Sequence, residues 1–195
     1  MSELEVVLAS SSKIRRAIAN NYSGVKCTFC SPNVDEQILK KNYLGSFEDL
    51  PQYLAKQKAL SIIKKFPSNY ILGCDQICLI NNKILEKPLT KSKAEENLKL
   101  LAGKTHQLIG GYHVHKDENV ILSLKTITNM KMKKLTNTEI KNYIELDDPL
   151  ESCGSYKFES NGYTLFDTVD GSVETINGLP FEKILLKLYE KISNN

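Results

Sequence analysis

The sequence predicts an α/β fold in which a mixed, mostly antiparallel twisted sheet is flanked by helices, as a single domain over residues 1–195. Strand-like apolar runs alternate with segments of helical period along the whole chain. Turn signals at Asn81-Asn82 and Asp117-Glu118-Asn119 fold neighbouring strands into hairpins, which a purely parallel sheet does not contain. The 195 residues, 41% apolar and 25% charged, suffice for one well-filled core without a long disordered stretch.

Leu4–Ala9 is a short apolar run that suits a buried strand. Ser12 is a suitable N-cap for a helix reaching Asn20, with Ile14, Ala17 and Ile18 turned inward. Val25–Cys30 alternates as a second strand, and residues 31–46 read as loop. A longer helix is expected from about Leu50 to Phe66, its start marked by Ser46-Phe-Glu-Asp and by Pro51 in the first turn. Tyr70–Ile80 is a strong strand, turned by Asn81-Asn82 into Lys83–Leu85. Ser92–Ala102 is a helix closed by Gly103. Thr105–His115 and Val120–Met132 read as antiparallel strands, with Tyr112, His113 and His115 on an ordinary half-exposed strand. Thr136-Asn-Thr-Glu139 is a capping box for a helix to about Leu146. Short strands near Tyr163–Thr168 and Val173–Ile176 precede a last helix opened by Pro180.

Charge and motifs exclude several classes. A formal net charge of +3 is too small for a nucleic-acid-binding domain, while it suits a small anionic ligand. No run approaches the roughly 18 apolar residues that cross a membrane. Met1-Ser2-Glu3 lacks the basic start of a signal peptide, so a cytoplasmic protein is expected. The five cysteines form an odd set and read as reduced thiols. Cys27-Thr-Phe-Cys30 has the spacing of half a zinc site, but no second Cys/His pair follows to complete four ligands. Neither Gly-x-Ser-x-Gly nor His-Glu-x-x-His occurs, which disfavours serine hydrolases and zinc proteases.

Three features are out of place for folding alone. Asp75 lies inside Ile71-Leu-Gly-Cys-Asp-Gln-Ile-Cys-Leu-Ile80, where an unpaired carboxylate is costly. It is either a structural Asp paired to a base or a carboxylate tuned to hold a metal or water. Gly73, two residues earlier, admits a ligand or another backbone segment, and regular pleating sends Gln76 to the opposite face. Ser10-Ser-Ser-Lys-Ile-Arg-Arg16 places Lys13, Arg15 and Arg16 in a first helical turn, against the macrodipole. That is either a solvated basic turn or an anion site of hydroxyls, backbone N–H groups and guanidinium. Lys58 falls on the inward helix face with Leu54, Ala55, Ala59 and Ile62, whereas Lys56 points away. Its ammonium either snorkels to water or meets phosphate. Glu36 and Lys87 are unremarkable alone.

Taken in order, Leu8-Ala-Ser-Ser-Ser-Lys-Ile-Arg-Arg16, Val34-Asp-Glu36, Leu54-Ala-Lys-Gln-Lys-Ala59, Gly73-Cys-Asp-Gln76, Lys87-Pro88 and Gly103-Lys-Thr-His106 resemble the Maf family. Gly154-Ser-Tyr-Lys-Phe-Glu159, Thr164-Leu-Phe166 and Gly178-Leu-Pro180 extend the resemblance over about residues 4–190. It implies a bilobed, ITPase-like α/β fold with a central cleft, and a homodimeric nucleoside triphosphate pyrophosphatase that releases a nucleoside monophosphate and diphosphate. It implies a divalent cation, Mg or Mn, held by Glu36 and Asp75, with Asp75, Glu36 and Lys58 catalytic. Ser10, Ser12, Arg15 and Lys87 would bind substrate. Gln76 after the Asp, with Lys157, resembles the branch acting on 7-methyl-GTP, and Ile14 takes the selectivity position beside the Arg pair. The branch acting on dTTP and UTP, and a non-catalytic nucleotide-binding regulator of cell division, are the alternatives. The chain departs from the family's usual pattern at Lys13, Glu86 and Ala102.

Overall fold

The computed structural model describes residues 3–194, so the Met1-Ser2 start and Asn195 lie outside the described residues. The strands are β1 (Leu4–Ala9), β2 (Val25–Cys30), β3 (Tyr70–Ile80), β4 (Lys83–Leu85), β5 (Thr105–Lys116), β6 (Asn119–Met132) and β7 (Phe166–Asp170). The helices are α1 (Lys13–Asn20), α2 (Glu36–Asn42), α3 (Leu50–Leu60), α4 (Lys91–Leu101), α5 (Asn137–Asp147), α6 (Val173–Ile176) and α7 (Phe181–Ser193). Among the described residues the strands form one mixed, mostly antiparallel sheet in the order β2-β1-β3-β5-β6-β7, with β4 on β3. β1 pairs parallel to both β2 and β3, whereas β3–β4 and β6–β7 are antiparallel. No described helix is long and apolar enough to cross a membrane.

The chain divides into two compact units, residues 1–76, 110–126 and 178–195 in the first and 77–109 and 127–177 in the second. In the first, the pleat of β3 sorts its side chains to two faces. Leu72 and Cys74 join Ile18 and Ala19 of α1 and Phe181, Ile184 and Leu188 of α7 in one core cluster. Ile71, on the other face, packs with Ala59 and Ile62 from α3 and its end. There α3 approaches so closely that a Cβ on Gly73 would strike the Ala55 carbonyl, and one on Gly111 would strike the backbone of Pro51 and Gln52. In the second unit, Cys78, Ile80 and Leu85 pack with Ala94, Leu98 and Leu101 of α4, Ile140, Tyr143 and Ile144 of α5, and Tyr156.

Several expectations are met on physical grounds already stated. Asn81 and Asn82 both have positive φ, 49° and 57°, as a type I′ hairpin requires. Ser12 caps α1 by accepting from Arg15 N, and Thr136 and Glu139 form the reciprocal capping box of α5. Others are corrected. Residues 36–42 are a helix and not loop, because Asp35 caps them by accepting from Gln37 N and Ile38 N. Val173–Ile176 is a helical turn capped by Ser172, its β-branched residues notwithstanding. Strand β7 begins at Phe166, after a 3₁₀ segment over Asn161–Leu165. In α1 the buried pair is Ile18 and Ala19, while Ala17 is exposed. Tyr112 and His115 are not half-exposed, since both are buried.

Candidate active site

Helix α3 and strand β3 position the centre of the site. Gly73 admits the helix backbone at Ala55 and Ala59, and Asp75 follows on the same face of the strand. Lys58 follows Ala55 by three residues and so projects from the same side of the helix. Its Nζ lies 2.5 Å from Asp75 Oδ1 and 2.9 Å from Glu36 Oε1. Lys58 and Asp75 are 6% and 7% exposed, while the Glu36 side chain, on the first turn of α2, is 44% exposed. The structural reading of Asp75 is met, because the buried carboxylate is paired to a base.

The electrostatics follow from this geometry. Burial works against the Lys58 charge, but the carboxylates of Asp75 and Glu36 outweigh it and hold the ammonium pKa above its ordinary value. Burial likewise opposes the Glu36 carboxylate, and Lys58, with Lys40 and Arg15 behind it, brings its pKa below the usual range. Lys58 is thus protonated and Glu36 ionised near neutral pH. Lys58 does not snorkel.

The start of α1 adds a cationic edge. Arg15 Nη1 donates to the Cys74 carbonyl at 3.0 Å, which sets the guanidinium against the strand that carries Asp75. The guanidinium also lies over Gly178, whose φ is +81°, and a Cβ there would sit 2.9 Å from Arg15 Nη2 and 3.2 Å from Gln76 Oε1. Gly178-Leu-Pro180 belongs to the motif set, yet sequence alone gives no sign that it underlies Arg15 and Gln76. Arg16 braces the segment, its Nε and Nη2 both donating to the Ser10 carbonyl, at 3.1 and 2.9 Å. Ser10 Oγ accepts from Ser12 N at 3.2 Å, so the hydroxyl segment is braced by its own backbone. Lys13 is exposed and Ile14 half-buried against the core.

Lys87 and Lys157 belong to the second unit. Lys87 pairs with Glu151 at 3.1 Å on the surface. Lys157 Nζ donates to the Asp147 carbonyl at 2.7 Å, which satisfies an end group of α5. The Asp147 carboxylate accepts from Ser160 Oγ and from the backbone and side chain of Asn161. Lys157, singled out for base selection, therefore has a helix-capping role in this chain.

Glu36 and Asp75 offer hard oxygen donors that converge on one point, which suits magnesium or manganese. Among the described residues no group of three or more His, Cys, Asp or Glu stands ready for a metal. Two carboxylates match the way such cations are held when water and substrate phosphate complete the shell.

An α/β chain with this paired-acid, buried-lysine centre over most of its length has known relatives. The chain belongs to the family described as Maf-like protein, which it matches over residues 5–191. A Legionella pneumophila (strain Corby) protein named nucleoside triphosphate pyrophosphatase is 31% identical over 181 residues, covering 92% of this chain and 90% of the relative. A Bdellovibrio bacteriovorus protein named 7-methyl-GTP pyrophosphatase is 36% identical over 185 residues, covering 92% and 93%. Among solved structures, the Staphylococcus aureus Ham1 protein aligns with a TM-score of 0.46 at 12% identity, covering 97% of this chain and 99% of that one.

Proposed function

We propose that this chain is a nucleoside triphosphate pyrophosphatase, a hydrolase that cuts between the α- and β-phosphates to release a nucleoside monophosphate and diphosphate. The observation that carries the reading is the Glu36–Lys58–Asp75 triad, in which one base lies within 2.9 Å of both acids beside Arg15. Water adds to the α-phosphorus, the bond to the bridging oxygen breaks, and the leaving diphosphate takes the electron pair. Asp75 orients that water and accepts its proton. Arg15 and Lys58 carry the charge that grows on the diphosphate. Ser10 and Ser12, at the start of α1, are further substrate ligands, and the family resemblance adds Lys87. A divalent cation held by Glu36 and Asp75 would supply charge neutralisation at the phosphate oxygens.

The finer reading is a 7-methyl-GTP-like substrate. Gln76 supports it, lying next to Arg15 over Gly178, and the family resemblance adds Lys157, whose Nζ here donates to the Asp147 carbonyl. Family resemblance extends the reading to a homodimer in the cytoplasm, which sedimentation and cell fractionation test. The deciding experiment incubates the purified chain with magnesium or manganese and a panel of canonical and 7-methylated triphosphates. Release of diphosphate with the monophosphate is expected, fastest from the methylated guanine nucleotide. An intact panel, or release of orthophosphate instead, refutes the proposal. Asp75→Asn is expected to lower turnover by about 10²–10⁴-fold, and unchanged turnover removes Asp75 from the mechanism.

A further inference from the structure

We propose that Lys58 is a resident counter-cation, whose ammonium holds Glu36 and Asp75 together until a divalent cation displaces it from between them. The inference rests on the reading of those two acids as the cation-holding pair. Nζ of Lys58 is 2.9 Å from Glu36 Oε1 and 2.5 Å from Asp75 Oδ1, so one ammonium serves both acids at once. The lysine and aspartate side chains are only 7% and 10% exposed, and solvent does little to relieve the repulsion of the two anions. With no positive charge between them, the two anions would repel one another and swing apart. A lysine devoted to phosphate alone has no need to touch both carboxylates.

The same contact determines how the site responds to a divalent cation. The cation would be coordinated by the oxygens that Lys58 now neutralises, and the two positive charges cannot share the point. Backbone movement is not required. Helix α3 is seated on Gly73 at Ala55 and Ala59, and the lysine stem carries its head group by rotation alone. Released from the acids and still tethered beside Arg15, the ammonium becomes a phosphate ligand. Cation binding and the freeing of Lys58 are thereby one event.

The test measures manganese binding by calorimetry in the absence of nucleotide, for the wild-type chain and Lys58→Met. Methionine keeps an unbranched apolar stem and removes the charge. The variant is expected to bind manganese at least about tenfold more tightly than the wild type, because the competing charge is gone. Its melting temperature without the cation falls below wild type and rises more steeply as manganese is added. Equal or weaker binding by the variant, or no binding by either chain, overturns the proposal. Should the variant not fold, the wild type carries the test through reductive methylation of Lys58, read by mass spectrometry. Manganese is expected to raise the methylation rate several-fold, since it frees a buried amine, and an unchanged or slower rate overturns the proposal. Diphosphate release is assayed separately. Hydrolysis without competition leaves the pyrophosphatase reading standing and this one refuted, and competition without hydrolysis does the reverse.

Discussion

Gly73→Ala tests the packing that makes the centre. A methyl group at this position points into the backbone of α3, where it would overlap the Ala55 carbonyl and lie 2.9 Å from Ala59 N. Those atoms belong to a helix and cannot turn aside as a side-chain tip can. Carbon–heavy-atom contacts settle at about 3.5–4.0 Å, so α3 must withdraw by about 1 Å or more. Withdrawal carries Lys58 away from Asp75 and Glu36 and stretches both pairs towards or past the limit of a hydrogen bond. Overpacking alone costs about 1–3 kcal/mol, and a weakened buried pair adds to it. At about 2–4 °C per kcal/mol for a chain of this size, overpacking alone lowers the melting temperature by roughly 2–12 °C. Turnover falls further, because about 1 Å of misplacement at a reacting centre can cost about 10²-fold. Thermal unfolding and diphosphate release are measured side by side, with Gly24→Ala as control, since a Cβ on Gly24 meets nothing within 4 Å. A Gly73→Ala chain that melts and turns over like the control refutes the account.

Two further outcomes are expected. His106 is buried with Nε2 2.8 Å from the Tyr156 hydroxyl, and burial lowers its pKa to about 4. The unfolded chain therefore binds the extra proton first, so its stability contribution is present at neutral pH and is lost as pH falls from about 6.5 to about 4, up to about 3 kcal/mol. His106→Gln, which keeps a partner for Tyr156, is expected to remove that share of the acid slope in urea unfolding, and a variant with the wild-type slope across that window counts against it. Gly178→Ala strains a backbone at φ +81° and presses on Arg15 and Gln76. A raised KM for the triphosphate with a smaller change in kcat is expected, and kinetics indistinguishable from wild type would show that Gly178 does not seat them.

The parts of the fold legible in the sequence are those fixed by local chemistry. The hairpin after β3 follows from two asparagines that tolerate positive φ, and α1 and α5 follow from side chains that bond their own first turns. What was not legible depends on long-range packing. Helix α2 buries no residue, so it shows no apolar period, and only the Asp35 cap announces it. His113 and His115 alternate with apolar neighbours as a solvent-facing row would. His115 is nevertheless buried and His113 half-buried, since Gly111, on the same face, lets the start of α3 lie over the strand. Arg15, Gln76 and Gly178 come together only through an approach of segments far apart in the chain, which no window of sequence records.

The site was partly legible for a related reason. Strand β3 and helix α3 meet face to face, and along that contact both depart from the apolar pattern at matching places. Gly73 removes a side chain where the helix backbone must enter, and Asp75 supplies a charge two residues on. Across from them, Ala55 and Ala59 keep the helix surface small, and Lys58 supplies the opposite charge between them. A close approach and a buried ion pair constrain one another. Small residues alone would leave the buried acid unpaired, and the charges alone would hold the helix too far off to meet at 2.5 Å. Each anomaly is weak in isolation, but the contact requires all of them together. That joint requirement ties the chemistry of the centre to the packing of one helix on one strand.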